Sequence, residues 1–173
     1  QEYSDGLICL SGPLAGEIPS LILKNRMDEA RSTLQWYNSV FGKDNVFLCL
    51  QDHGIPDEKI VNQTLRELAA ESGTQLVITN DIYYVNQGDA VAHDTLICVG
   101  NQRKRNDAGR YRFYGDQYYF KSEDEIRQLF PQDEVAMANT LQIAEMCNLE
   151  IPQPGPLLPD YDIPEGFASP DKY

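Results

Sequence analysis

Histidine, the side chain best suited to general-base work and metal binding near neutral pH, is scarce in this chain. There are two, His53 and His93. His53 stands in Gln51-Asp52-His53-Gly54, directly after an apolar run, and strand ends are where α/β proteins build their sites. The simpler role for it is a loop-capping imidazole paired with Asp52. His93, in Ala92-His93-Asp94, falls on a helical pattern, where a structural or exposed role is expected. Asp81 follows Leu76-Val77-Ile78-Thr79-Asn80. A carboxylate there can bind a metal, orient a reacting group or close a turn. The metal motifs HxH and HExxH, the GxSxG nucleophile elbow, the GxxxxGK phosphate loop and the GxGxxG fingerprint do not occur. A serine or cysteine triad has no suggestively flanked histidine to use.

Two further groups carry chemical potential. Arg103, Lys104, Arg105, Arg110 and Arg112 crowd into ten residues, followed or interleaved by Tyr111, Phe113 and Tyr114. Cations beside aromatic rings can grip a nucleic-acid backbone and stack its bases, although a solvated loop is the plainer reading. Cys9, Cys49, Cys98 and Cys147 lie far apart, without the close pairs that zinc sites use. They read as four buried structural thiols in a reducing compartment, with no disulfide framework.

The elements that position these residues follow from the apolar pattern. Residues 7–10, 46–50 and 76–79 are short, nearly unbroken apolar runs, as in strands buried on both faces of a parallel sheet. Between them, 27–41 and 57–72 read as helices, the second with Ile60, Val61, Thr64, Leu65, Leu68 and Ala69 on one stripe and closed by Gly73. The order β-α-β-α-β predicts an α/β fold with a parallel sheet and crossover helices. A further helix is expected at about 89–99, ending at Gly100, then a polar loop at 101–110. Residues 111–121 alternate aromatic and polar side chains, as in an edge strand or extended segment. Ser122-Glu123-Asp124-Glu125 is a capping box that starts a helix to about 130, and Pro131 opens another with Met137, Leu141 and Ala144 at helical spacing.

Composition narrows the partners. The 173 residues suit one domain, and 27 acids against 14 Lys and Arg give a net charge of −13. Such a surface repels phosphate and anionic lipid unless its cations cluster. No apolar run is long enough to span a membrane, and the N-terminus is no signal peptide, so a soluble cytoplasmic protein is expected. Six of the ten prolines fall between Pro152 and Pro170, which predicts an extended acidic linker at 150–173 after a compact portion at 1–149. A small sheet with two open edges, entered directly from the N-terminus, reads as a piece of a longer chain.

The segment Ser4-Asp5-Gly6-Leu7-Ile8-Cys9-Leu10-Ser11-Gly12-Pro13-Leu14-Ala15-Gly16-Glu17-Ile18 resembles the dGLI-x-LSGCLAGEI stretch of the PHP domain that opens bacterial DNA polymerase III alpha subunits. The likeness continues through Phe47 to Gly54, Thr79 to Val85, Ala92-His93-Asp94, Tyr119 to Ser122, Asn139-Thr140 and Ile143 to Asn148. Leu158 to Gly166 is similar to the lead-in to that family's palm domain. The resemblance implies the C-terminal portion of a PHP domain, a distorted β/α barrel of which this chain holds a part, followed by a helical segment and a Pro-rich linker.

The resemblance also implies a degenerate metal site. Asp81 matches one family ligand, but Pro13 stands where the family has cysteine and Tyr83 where it has histidine. A pyrrolidine ring offers no donor and a phenol is a poor substitute for an imidazole. The implied role is a scaffold and interaction module of a replicative polymerase, with no cofactor expected in this segment and Mg serving only the parent polymerase. The implied partners are the rest of the alpha subunit, including the palm and the N-terminal half of the PHP domain, and a proofreading exonuclease, with DNA bound at most weakly. The alternative is a metal-dependent phosphoesterase or 3'–5' proofreading nuclease holding zinc or another divalent ion.

Overall fold

The computed structural model describes residues 2–153 and 155. The Pro-rich linker expected at 150–173 lies almost wholly outside the described residues. Three strands, β1 (Cys9–Leu10), β2 (Val46–Leu50) and β3 (Gln75–Ile78), form one parallel sheet in the order β1-β2-β3. Register pairs Cys9 with Val46 and Phe47 with Gln75. Six helices surround it: α1 (Glu17–Leu23), α2 (Met27–Phe41), α3 (Pro56–Ser72), α4 (Ala90–Gly100), α5 (Glu123–Leu129) and α6 (Glu134–Met146). The expected α/β architecture is present. No helix among the described residues is long and apolar enough to cross a membrane.

The central strand β2 is buried at all five positions, so its side chains feed two cores. Val46, Leu48 and Leu50 face α1, α2 and α3, meeting Ile18, Leu34, Val61, Leu65 and Leu68. Phe47 and Cys49 point to the other face and pack with Val77, Ile8, Ile143 and Met146. An unbroken apolar run is what burial on both faces requires. Along α3 the buried positions are Glu58, Val61, Asn62, Leu65, Leu68 and Ala69, whereas Ile60 is exposed, which corrects the expected stripe. Gly73 ends α3 at φ +67°, a left-handed conformation that suits glycine, and its N–H bonds the Ala69 carbonyl at 2.7 Å.

Four features depart from the sequence reading. Helix α1 has no counterpart there, where residues 17–23 are assigned no element. Its Pro19 occupies the first turn, where the missing N–H costs no helical bond. The edge of β3 is not open: Asn139 of α6 donates Nδ2 to the Leu76 carbonyl at 2.8 Å. Helix α6 lies along that edge, with Ala136 reaching one core and Ile143 and Met146 the other. Residues 111–121, expected as an edge strand or an extended segment, form no strand, only a parallel bridge between Tyr119 and Tyr84. The cysteines are free thiols, but only Cys49 and Cys98 are buried; Cys9 is half-buried and Cys147 exposed, against the expectation of four buried thiols.

The capping box at Ser122 forms as read, and it makes a pH prediction. Glu125 accepts from the Tyr119 hydroxyl at 2.6 Å and from the Ser122 N–H and hydroxyl at 2.8 and 2.7 Å. Those donors, Tyr119 first, hold its carboxyl down at about 2. A carboxylate held low in the fold stabilises it above the ordinary value of 4.5, and that contribution is lost as pH falls toward 2. The thermal midpoint therefore drops across that window, and Tyr119→Phe flattens this part of the profile. An unchanged profile in the variant would refute the assignment.

Candidate functional site

Segments 11–13, 51–54 and 79–83 leave the C-terminal ends of β1, β2 and β3 side by side, the usual location of a site on a parallel sheet. At its centre the His53 side chain is 2% exposed and that of Glu58, in the first turn of α3, 3%. His53 Nδ1 lies 2.7 Å from Glu58 Oε1, while His53 Nε2 accepts the Asp81 backbone N–H at 3.1 Å. Accepting at Nε2 assigns the ring proton to Nδ1, which donates to Glu58. The second oxygen, Glu58 Oε2, accepts the His53 N–H at 2.6 Å and the Ile55 N–H at 3.3 Å. Tyr118 stacks on the imidazole at 4.5 Å and 10°. Burial, before the nearby carboxylates Glu58 and Asp81, pushes the Tyr118 phenol up to about 12. The expected pairing of His53 with Asp52 is not made: Asp52 accepts the Gly54 N–H at 2.9 Å, and Glu58 takes the ring.

Polar groups around this pair close the strand ends. Asn62, one turn after Glu58, donates Nδ2 to the Gln51 carbonyl at 2.8 Å and accepts the Gln51 N–H at 3.3 Å. It continues the β2 ladder with a side chain. The Gln51 amide donates to Asp81 Oδ1 at 3.1 Å and to Thr79 Oγ1 at 3.0 Å. Ser11 Oγ accepts the Cys49 N–H at 2.9 Å. Lys121, buried, donates to the Gln117 carbonyl and to Asn80 Oδ1 at 3.4 Å, with its Nζ 4.5 Å from the Tyr119 ring centroid. Burial pushes its ammonium below the ordinary lysine range.

The sequence-derived ligand positions have different surroundings. Asp81 is half-buried and bonded to Gln51, Pro13 is exposed, and Tyr83 turns its ring to Phe113 at 4.5 Å, Tyr118 at 5.9 Å and His93 at 5.4 Å. His93 itself sits among Tyr83, Tyr84 and Phe113. A divalent ion needs several charged or imidazole donors converging on one point. Among the described residues no three His, Cys, Asp or Glu side chains stand close enough to do so. His53 has no lone pair to spare, because Asp81 N–H takes Nε2. These donors do not fit a metal cluster.

The cationic loop divides. Arg110 is 5% exposed, bonded bidentate to Asp94 at 2.6 and 2.6 Å and to the Arg105 carbonyl at 2.9 Å. This pair holds Asp94 below the usual carboxylate range. Arg103, Lys104, Arg105 and Arg112 remain exposed. Sequence reasoning missed Glu58, Asn62, Tyr118 and Lys121. The first two had a signal, being polar residues one turn apart on the face that carries Val61 and Leu65.

Comparison with known proteins identifies the family. A family model described as PHP domain matches residues 1–53. DNA polymerase III subunit alpha of Treponema pallidum is 46% identical over 99% of this chain, and that of Borreliella burgdorferi 42% over 100%. The Thermus aquaticus protein of the same name is 39% identical over 96% of the chain. The chain spans only about 15% of the length of these curated relatives. Its three-stranded parallel sheet and helices accord with part of a PHP-type barrel. The chain is a segment belonging to the DNA polymerase III subunit alpha family, and its residues 1–53 match a PHP domain.

Proposed function

We propose that this segment is a scaffold within a replicative DNA polymerase, supporting the catalytic body rather than carrying chemistry. The polymerase reaction, a nucleotidyl transfer assisted by Mg, belongs in this reading to the remainder of the subunit, acting in the cytoplasm. The proofreading exonuclease is the second partner proposed for the scaffold. The observation that carries the reading is the likeness to polymerase alpha subunits along 99% of the chain. It is supported at the sheet mouth, where His53, Glu58, Asp81, Gln51 and Asn62 spend their polar groups on one another. Groups bonded in this way brace strand ends; a general base or nucleophile keeps a lone pair aimed at substrate.

The test uses the full-length polypeptide. Asp81→Asn keeps template-directed nucleotide incorporation within about twofold, since no step passes through that carboxylate. Glu58→Ala loses incorporation in parallel with thermal unfolding and recovers it on cooling. Loss of incorporation in Asp81→Asn with an unchanged melting profile would overturn the scaffold reading. A phosphoesterase activity abolished by the same change would favour the alternative, a metal-dependent phosphoesterase or 3'–5' nuclease.

A further inference from the structure

We propose that the loop at 101–114, with the aromatic cluster beneath it, binds single-stranded nucleic acid. This is independent of the scaffold reading. The charge of the chain is segregated: residues 101–114 hold five of the 14 cations and a single acid, Asp107, in a chain of net charge −13. Asp107 is engaged with the Lys104 backbone N–H at 3.0 Å. Asp94, the acid on the neighbouring helix α4, is neutralised by Arg110. Five cations against Asp107 and Asp94 leave a local excess of positive charge.

Arg110 also makes the loop a presenting surface. Its guanidinium joins Asp94 of α4 to the Arg105 and Tyr111 carbonyls, at 2.9 and 3.2 Å for the latter two. The loop is thereby tied to a helix at the point where the exposed cations leave it, so less ordering cost falls on a ligand. Arg103, Lys104 and Arg112 are exposed, and Arg105 is half exposed although its Nε lies 3.6 Å from Asp94.

Rings lie beside these charges. Tyr111 is 66% exposed and Tyr114 56%, in a Tyr-Arg-Phe-Tyr sequence that sets Arg112 between them. Phe113 supports Tyr111 edge-on at 5.7 Å and Tyr83 at 4.5 Å, and Tyr83 is itself half exposed. A recess of about 150 Å³ opens here, lined by Tyr84, His93, Asp94, Arg110, Arg112 and Phe113 among others. It has room for roughly five waters, hence for one phosphate-sized or planar group. Exposed rings alternating with cations suit splayed bases on a charged backbone, which single strands offer and duplexes do not. An acidic protein would use the cations but leave the rings idle.

The test is photocrosslinking of the full-length polypeptide to an oligothymidylate carrying 5-iododeoxyuridine, with adducts mapped by peptide. An adduct on the peptide containing Tyr111 and Tyr114 is expected. The exposed triple change Arg103→Glu, Lys104→Glu and Arg105→Glu lowers its yield at least tenfold while adducts elsewhere persist. Tyr111→Ala lowers it by about fivefold or more through lost stacking. No adduct in this peptide, or equal yield from the triple variant, overturns the proposal. Complete competition by polyglutamate of equal charge also overturns it, since the surface would then read charge alone.

Discussion

Glu58→Ala lowers the free energy of unfolding by about 3–5 kcal/mol, an unusually large loss for a polar residue. The reason is the number of donors it leaves behind. Its two oxygens accept the His53 ring N–H, the His53 backbone N–H and the Ile55 backbone N–H. Both side chains are almost fully buried, so water does not readily replace the carboxylate. Each orphaned buried donor costs about 1–3 kcal/mol. Glu58→Gln keeps the volume but turns an amide N–H toward one of those donors, so it is also destabilising, though less than alanine. Urea unfolding measures both. If Glu58→Ala costs under about 1 kcal/mol, as for an exposed ion pair, the buried pair is not the brace described here.

Phe47→Ala costs about 3–5 kcal/mol by a different route. Phe47 is fully buried on the central strand and fills the smaller core between Cys49, Val77, Ile8, Ile143 and Met146. No polar group is orphaned; the loss is transfer energy plus a cavity. An apolar cavity stays dry and takes up small apolar molecules. Benzene therefore raises the melting temperature of Phe47→Ala but not that of Glu58→Ala. Equal responses would show that the Phe47 site collapses instead of leaving a void. This variant should also loosen α6, because Ile143 and Met146 pack against the core that Phe47 fills.

The two sites show what could be read in the chain beforehand. β2 is found at Val46–Leu50 and α2 at Met27–Phe41, as the apolar runs require, and α3 begins one residue early at Pro56, a favoured first helical position. β3 is displaced by one residue, and β1 shrinks to Cys9–Leu10 because Leu7 and Ile8 lie outside the ladder. Periodicity reports which face of a helix is buried, but not what that face meets. Glu58 and Asn62 were visible as polar interruptions of α3, yet their partners, His53 and the backbone of Gln51, are fixed only once β2 and α3 pack.

Long-range partners were the least legible. The Arg110–Asp94 pair, the Tyr118–His53 stack and the Lys121–Asn80 contact join residues that no spacing rule connects. His53 was read with its sequence neighbour Asp52, whereas the helix that follows supplies the carboxylate. Conversely, the expectation that Pro13 and Tyr83 stand where ligands would be rests on the family resemblance, with neither residue type a good donor. The structure adds that Tyr83 joins an aromatic cluster and that His53 is turned into the fold.

The most direct measurement is the metal content of the full-length polypeptide, purified without chelator, for wild type and Asp81→Asn side by side. Inductively coupled plasma mass spectrometry should find the same zinc and manganese content in both, because Asp81 is bonded to Gln51 and, among the described residues, belongs to no converging group of three His, Cys, Asp or Glu. About one ion per chain in wild type that vanishes in Asp81→Asn would contradict the account.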